Sequence, residues 1–316
     1  MKKQIIRLLT AVCLALACSI SAAALPKTLI PGGCTVGVKL YTQGLVVTGF
    51  ESRSAAKAAG LKKGDVIIQV DGEAVHTAAA LRECLEEEQV ILKILRNGRE
   101  AEFCVRPNGN QIGAYVRDSL AGIGTVTYYD PDTGAFGALG HGVSDSETKM
   151  LLPVEAGVVV ESSVADVKKG RDGAPGELKG SFDVNTILGK VERNAERGIF
   201  GTLDVPIPGT PLPVAEAGEA EPGPAEIWAN VDGREVRSYS VEILRIYPHA
   251  DETGRNLLLE VTDPALLATT GGIVQGMSGS PIIQDGKLVG AVTHVLVNDS
   301  AKGYGIFIEN MLDAAG

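Results

Sequence analysis

The pattern of apolar and polar positions divides the chain into two folded units. In the first, residues 33–107, short apolar runs are typical of strands, and Leu81 and Leu85 lie four positions apart, as on one face of a helix. The pair Asn97-Gly98 between two apolar runs predicts a β-hairpin. The first unit is therefore predicted to be a small domain of strands with short helices.

The second unit, residues 108–316, contains short alternating runs rich in Gly, Val, Ile and Thr. Residues 123–129 alternate and lead into a turn at 130–134, and similar runs recur towards the C-terminus. Helical periodicity is limited to a short turn of helix at 263–268. Many short strands at regular spacing predict a sandwich or a barrel. Roughly 200 residues suit two barrels, so we expect a mainly β fold.

The N-terminal segment differs from both units. Lys2, Lys3 and Arg7 precede an apolar run that ends in the small residues of Ser21–Ala24, which is the organisation of a signal peptide. The apolar run is short for a membrane-spanning helix, which needs about 20 residues. Flanking apolar residues leave an uncleaved anchor as the alternative. Residues 1–25 are therefore predicted to direct export, as a signal peptide or an N-terminal membrane anchor.

Composition excludes several other classes of function. The formal net charge is −10, which argues against a nucleic-acid partner because such a partner requires a basic face. Outside the N-terminal segment the cysteines are Cys34, Cys84 and Cys104, an odd number at irregular spacing, so no disulfide framework is indicated. The chain has neither an H-E-x-x-H motif nor paired C-x-x-C motifs. We therefore expect no metal site and no cofactor.

The strongest chemical signal is the stretch Gly276–Pro281, which reads G-M-S-G-S-P. It resembles the G-D-S-G-G-P turn that carries the nucleophile of trypsin-like serine proteases, from which it differs at two positions. Glycines on both sides of Ser278 let the backbone turn sharply and let a substrate carbonyl approach. The N–H groups of Gly276 and Ser278 are then the predicted donors to the oxyanion. Ser280 is a second candidate nucleophile, and a turn without catalysis is the structural alternative.

A serine nucleophile requires a general base, and a carboxylate usually orients that base. His141 is the favoured base because small residues surround it on both sides, which suits a tight pocket. His294, at the end of the strand that follows the serine turn, is the competing candidate, and we expect it about one strand length from Ser278. Three residues are candidates for the carboxylate: Asp263, Asp145 and Asp183. Spacing gives Asp263 a modest preference over the other two.

Residues 33–107 resemble a PDZ domain of the bacterial protease type. The resemblance rests on A-x-x-A-G-L-x-x-G-D-V-I at 56–67, followed by a D-G turn and a helix. In that family a ligand peptide adds as a strand beside the second helix, and its terminal carboxylate meets an x-Φ-G-Φ loop. The stretch that looks like this loop predicts peptide binding there, although an ordinary strand is the alternative. Its residues are Thr35, Val36, Gly37 and Val38.

Three further motifs extend the resemblance to nearly the whole chain. They are R-D-S-x-A-G-I-G-T at 117–125, G-A-L-G-H at 137–141 and T-G-G-I-V-Q-G-M-S-G-S-P at 270–281. Together with the export segment and the PDZ unit, they resemble the stage IV sporulation protein B peptidases. That resemblance implies a trypsin-like double β-barrel over residues 108–316. It also implies Ser278 as nucleophile, His141 as base and Asp263 as the third residue of the triad.

The same resemblance implies a serine endopeptidase of intercompartmental signalling during sporulation. Such an enzyme is exported from the forespore to the space between the two membranes. There it cleaves its own polypeptide and then a membrane-bound regulator of the protease that processes pro-sigma-K. The PDZ unit would bind a peptide of the target or of the chain itself. The alternative is a non-catalytic exported scaffold whose PDZ unit tethers partner proteins.

Overall fold

A computed structural model of the chain describes residues 27–249 and 254–316. The predicted export segment, residues 1–25, lies outside the described residues. Among the residues that are described, no helix is long and apolar enough to cross a membrane. The fold is mainly β, as predicted, and consists of two barrels with the PDZ-like unit beside the first.

The first barrel is closed by a strand that pairs along both of its edges. Strand β2 (Thr35–Phe50) pairs with β7 (Ala114–Tyr129) on one side and with β9 (Val154–Lys168) on the other. The ring is completed by β8 (Ala135–Ala138), β11 (Gly198–Leu203) and β10 (Glu177–Ala195), so that six strands close on themselves. Two short strands extend this sheet, β1 (Thr28–Pro31) and β12 (Leu212–Pro213). A short 3-10 helix, Ala217–Glu219, follows β12.

The second barrel is a closed ring of six antiparallel strands. In ring order these are β13 (Gly223–Ala229), β14 (Arg237–Ile246), β15 (Leu257–Val261), β18 (Asp299–Phe307), β17 (Lys287–Leu296) and β16 (Pro281–Gln284). Helix α3 (Pro264–Thr270) follows β15 and leads into the predicted nucleophile turn, and helix α4 (Ile308–Ala315) follows β18. Strands β16 and β17 pair across a tight turn at Asp285-Gly286.

The PDZ-like unit packs two short helices on a small antiparallel sheet. Helix α1 is Ala55–Ala59 and helix α2 is Ala78–Glu83. The sheet contains β3 (Val66–Val70), β4 (Glu73–Ala74), β5 (Val90–Arg96) and β6 (Arg99–Val105). Strand β3 pairs with the C-terminal half of β2, with β4 and with β5, and β5 also pairs with β6. Leu81 and Leu85 are both buried, as their spacing predicts. The Asn97-Gly98 hairpin is confirmed.

The two long strands β2 and β7 belong to both the PDZ-like unit and the first barrel. Residues 35–41 of β2 pair with residues 119–125 of β7 inside the barrel, whereas residues 46–50 pair with residues 114–117 beside the PDZ helices. The sequence prediction assigned residues from 33 onwards to the first unit, but residues 35–41 form a strand of the barrel. The reason is that one continuous strand can bury its two halves against different cores.

Candidate active site

The predicted nucleophile turn lies where the two barrels meet. Gly279 adopts a φ of +99°, a left-handed conformation that glycine reaches without strain. A Cβ atom at Gly279 would lie 2.6 Å from the backbone nitrogen of Leu139 and would collide with the carbonyl oxygen of Thr125. Both contacted residues belong to the first barrel. The sharp turn predicted from the glycines is therefore confirmed, and it allows the second barrel to touch the first.

Hydrogen bonds from Thr125 hold this turn against the first barrel. The backbone N–H of Thr125 donates to the carbonyl of Ser278 at 3.1 Å, and its hydroxyl donates to the carbonyl of Gly276 at 2.7 Å. The carbonyl of Thr125 accepts from the N–H of Leu139 at 3.2 Å, two residues before His141. One residue of β7 therefore sets the position of both the serine turn and the histidine segment.

The side chain of Ser278 is half-buried, and its hydroxyl donates to the carbonyl of Thr293 at 2.7 Å. Within residues 27–249 and 254–316, the backbone N–H groups of Gly276 and Ser278 donate no hydrogen bond. Two unpaired donors beside a serine hydroxyl are what an oxyanion site needs.

His141 lies just beyond strand β8, and its ring Nδ1 is 3.0 Å from the carbonyl oxygen of Gly142. A carbonyl only accepts, so this contact places the proton on Nδ1 and leaves Nε2 free to accept a proton. Burial lowers the pKa of His141 below its usual range, although the hydrogen bond to Gly142 acts in the opposite direction. The ring is therefore neutral near pH 7, the form that a general base requires.

His141 and Ser278 line one cavity of about 300 Å³. The cavity also contains Gly276 and the side of β7 that carries Leu120 and Gly124. Within the described residues no hydrogen bond joins the Ser278 hydroxyl to the His141 ring, since the hydroxyl is bonded to Thr293. Such bonds often tighten only when substrate is present. The two distant parts of the chain do converge on a common space.

A larger cavity, of about 810 Å³, lies elsewhere between the barrels, beside Trp228. Neither Ser278 nor His141 lines it. The smaller cavity is the candidate active site because it contains the groups that can perform acyl transfer. Among the described residues, no group of three or more His, Cys, Asp or Glu side chains could hold a metal ion.

Asp263, to which the resemblance assigns the third position of the triad, caps helix α3. Its Oδ1 accepts from the N–H groups of Ala265 at 2.8 Å and Leu266 at 2.9 Å. Within the described part of the chain, no hydrogen bond or ion pair joins it to His141. The sequence expectation is not met in this geometry, because an Asp before a proline at a helix start is held by the unpaired N–H groups of the first turn.

The other two candidate carboxylates are also engaged away from His141. Asp145 is buried, accepts from the backbone of Glu147 and Thr148, and forms an ion pair with Arg117 at 3.0 Å. Asp183 is an exposed residue of β10 and accepts from the hydroxyl of Thr186 at 2.8 Å. The carbonyl of Gly142 is therefore the acceptor that orients the imidazole in this structure.

His294 lies much closer to the site than its sequence position suggested. Its ring centroid is 5.1 Å from that of His141, with the rings tilted by 38°, and the preceding residue, Thr293, accepts from Ser278. Our expectation that it lies a strand length away is wrong, because β17 runs back past the serine turn. Burial lowers the pKa of His294 to about 4, and the nearby His141 and Arg255 act in the same direction. His294 therefore packs as a neutral ring against His141.

The comparisons with known proteins agree with this chemistry. A family model described as "SpoIVB peptidase S55" matches residues 108–312, and a PDZ domain model matches residues 46–96. The chain belongs to the SpoIVB peptidase S55 family. It is a serine endopeptidase with an N-terminal PDZ domain.

No curated protein sequence matches the peptidase. Among solved structures, the Rv3671c protease from M. tuberculosis in its active form is 16% identical, over 62% of this chain and 75% of that chain, with a TM-score of 0.36. The inactive form of the Rv3671c protease is 14% identical, over 61% and 82%, with a TM-score of 0.34.

The stretch predicted to bind a peptide carboxylate is not a loop. Thr35, Val36, Gly37 and Val38 form the start of β2, which pairs with β7 and β9 along its two edges. Thr35, Val36 and Val38 are all buried. The prediction is wrong because this strand lies in the middle of the barrel sheet, where its backbone groups face neighbouring strands.

The structure instead offers a groove between helix α2 and the start of β7. This cavity, of about 300 Å³, is lined by Leu81 on the helix, by Leu85 in the turn that follows it, and by residues 110–116 on the strand side. Within the described residues, the N–H groups of Ile112 and Gly113 donate no hydrogen bond. The local sequence at 111–114 reads Q-I-G-A, which has the x-Φ-G-Φ form. That pattern was the signal that could have located the groove.

We predict that Gly142→Ala inactivates the peptidase without unfolding it. A Cβ atom at Gly142 would lie 2.6 Å from the backbone oxygen of Ala195 and would collide with Leu151, so the Gly142 carbonyl must move away from His141. We expect kcat/KM on fluorescent casein to fall at least about tenfold, equivalent to one lost orienting hydrogen bond of about 1.4 kcal/mol.

The control is Gly218→Ala, because a Cβ atom at exposed Gly218 meets no atom within 4 Å. Equal activity of the two variants, with equal melting temperatures, would show that the Gly142 carbonyl does not position His141.

We also predict the pH dependence of the peptidase. His141 must be neutral to act as base, and burial lowers its pKa from the usual 6.5, so activity should persist below pH 6.5. The acid limb of the kcat/KM profile should have its midpoint below that value. Because the unfolded chain binds more protons below pH 6.5, stability should also decline as pH falls from there. A midpoint above 6.5 would contradict a buried, neutral His141.

Proposed function

We propose that Ser278 is the nucleophile of this peptidase and that His141 is its general base. The observation that carries the proposal is their shared cavity, in which His141 presents an unprotonated Nε2 and the N–H groups of Gly276 and Ser278 are unpaired. The Ser278 hydroxyl is bonded to the carbonyl of Thr293 in the absence of substrate, so catalysis begins by redirecting it towards His141.

The reaction then follows from these positions. His141 Nε2 takes the proton of the Ser278 hydroxyl while the oxygen attacks the peptide carbonyl, and the new oxyanion accepts from the Gly276 and Ser278 N–H groups. The imidazolium returns its proton to the leaving amine, and the C–N bond breaks. Water, deprotonated by the same His141, attacks the acyl-enzyme; the ester C–O bond breaks, and His141 returns the proton to the Ser278 oxygen. The Gly142 carbonyl keeps the reactive tautomer throughout, in the role that a carboxylate fills in a Ser-His-Asp triad.

We further propose that the peptidase acts in sporulation signalling, after export from the forespore to the intermembrane space. Family membership and the predicted export segment support this assignment. Its substrates would be its own polypeptide and then a membrane-bound regulator of the protease that processes pro-sigma-K. The groove beside α2 would bind the carboxyl end of a peptide, because its unpaired N–H groups suit a carboxylate and its leucines suit an apolar last side chain.

The catalytic roles predict the labelling behaviour of the peptidase. Wild-type protein should react with a fluorophosphonate probe, which modifies only activated serines, whereas Ser278→Ala and His141→Ala should show no labelling above background. His249→Ala serves as the matched control, since His249 is exposed and outside the cavity. Labelling of Ser278→Ala at the wild-type rate would remove Ser278 from this role and point to another serine, such as Ser280. Only a wild-type protein that does not label would favour the exported scaffold.

The groove predicts that peptides bind through a free carboxylate. Short fluorescent peptides ending in Val, Leu or Ala, tested on Ser278→Ala protein, should bind at least about tenfold more tightly as acids than as C-terminal amides. Gly113→Ala should remove the difference, because Gly113 has a φ of +67° and its Cβ atom would lie 2.8 Å from Cα of Ser54. Gly109→Ala, left-handed but open, is the control. Equal binding of acids and amides would exclude a carboxylate site.

A further inference from the structure

We propose that the outer edge of β7 between Ser119 and Ile123 binds the substrate as an added β-strand, so that the residues after the scissile bond lie along this edge. The proposal rests on the catalytic roles proposed for Ser278 and His141, and it names how the polypeptide substrate is held. The edge in question is the side of β7 that faces away from β2.

The orientation of Thr125 shows which backbone groups face that edge. Its N–H and its carbonyl both point away from β2, towards Ser278 and Leu139. The N–H of the next residue, Val126, points the other way, to the carbonyl of Cys34. These directions alternate along a strand. Ile123, Ala121 and Ser119 therefore direct their backbone N–H and carbonyl groups to the same side as Thr125.

No strand covers this edge in the described part of the chain. Between residues 114 and 125, β7 pairs only with β2, and its register against residues 35–41 is regular. Strand β8 joins the outer edge only from Val126 onwards. Ser119, Ala121 and Ile123 therefore present three N–H groups and three carbonyls without a partner strand. An open edge of this kind is a template for an extended peptide.

The open edge leads directly into the active site. It ends at Thr125, which is hydrogen-bonded to the serine turn, and Leu120, Gly122 and Gly124 line the cavity of His141 and Ser278. A Cβ atom at Gly122 would meet no atom within 4 Å, so the strand leaves room there for another chain. An endopeptidase must hold an extended segment on either side of Ser278, and this edge is a backbone partner at the required place.

The chemistry decides which half of the substrate lies here. His141 gives its proton to the leaving amine, so the leaving half lies on the side of the barrel that carries His141, which is also the barrel of β7. An added antiparallel strand would then run from Ile123 back towards Ala114, with its carboxyl end directed at the α2 groove. That direction matches the unpaired N–H groups of Ile112 and Gly113. From Ile123 to Ala114 the strand spans about nine residues, or roughly 30 Å.

One hydrogen bond crosses this route. The Oδ2 atom of Asp118 accepts from the N–H of Ala78 at the start of α2, at 3.2 Å. A chain that occupies both the open edge and the α2 groove would replace this bond. Substrates with about ten residues after the cleaved bond are therefore expected to use both sites, and shorter ones only the edge.

Hydrogen exchange on intact Ser278→Ala protein tests the proposal. The amides of Ser119, Ala121 and Ile123 should exchange rapidly in the free protein. Saturating reduced and alkylated casein should slow them at least about tenfold, a shift of about 1.4 kcal/mol. The amides of Gly122 and Gly124, whose N–H groups face β2, should exchange slowly in both states. Casein bound by fluorescence anisotropy with no protection at the three amides would overturn the inference.

A backbone variant provides a second measurement. Ala121→Pro removes one outward N–H while leaving the ladder to β2 intact, a placement that a strand edge tolerates. We expect its kcat/KM on casein to be at least about tenfold below that of Ala121→Val, which adds bulk but keeps the N–H. Equal values for the two variants would overturn the inference.

The two proposals fail in different ways. A wild-type protein that neither labels with fluorophosphonate nor cleaves casein would refute the catalytic assignment of Ser278 and His141. A wild-type protein that does both, in which casein leaves the exchange of residues 119–123 unchanged, would refute only the docking of substrate on β7.

Discussion

The geometry of the candidate active site depends on the hydrogen bonds of one buried residue, Thr125. Its N–H and hydroxyl bind the two carbonyls that flank Met277 in the serine turn, and its own carbonyl binds the segment that leads to His141. Thr125 is only 1% exposed, so these hydrogen bonds are shielded from water. Breaking one of them would leave a buried polar group unpaired, at a cost of about 1–3 kcal/mol. Gly279 makes the contact possible because any side chain there would collide with the Thr125 carbonyl. The candidate active site is thus assembled where the barrels touch.

Around this contact, burial sets the protonation states. His141 and His294 both have lowered pKa values, so two adjacent rings remain neutral where two imidazolium ions would repel each other. A backbone carbonyl carries only a partial charge, so Gly142 orients His141 while perturbing its pKa less than a carboxylate would. The candidate carboxylates are used for structure instead: Asp263 caps a helix, and Asp145 pairs with Arg117 beside the histidine segment.

Strand β7 runs from the groove beside α2 to the candidate active site. Its first residues border the groove beside α2, its middle lines the cavity, and Thr125 near its end supports the serine turn. The PDZ unit and the first barrel are thus joined by two shared strands, β2 and β7. A peptide held beside α2 would consequently lie on the same strand that leads to Ser278.

The amino-acid sequence by itself determined the features that depend on neighbouring residues. These include the Asn97-Gly98 hairpin, the sharp turn at Gly279, the mainly β character and the motifs that lead to the family. Local chemistry decides such features, because turn dihedrals and strand alternation are set within a few residues. Only the tertiary structure decided that β2 is paired on both edges, that His294 packs on His141 and that Asp263 is occupied by a helix end. Each of these depends on strand pairing or packing between segments far apart in the chain, and residue types alone do not encode that register.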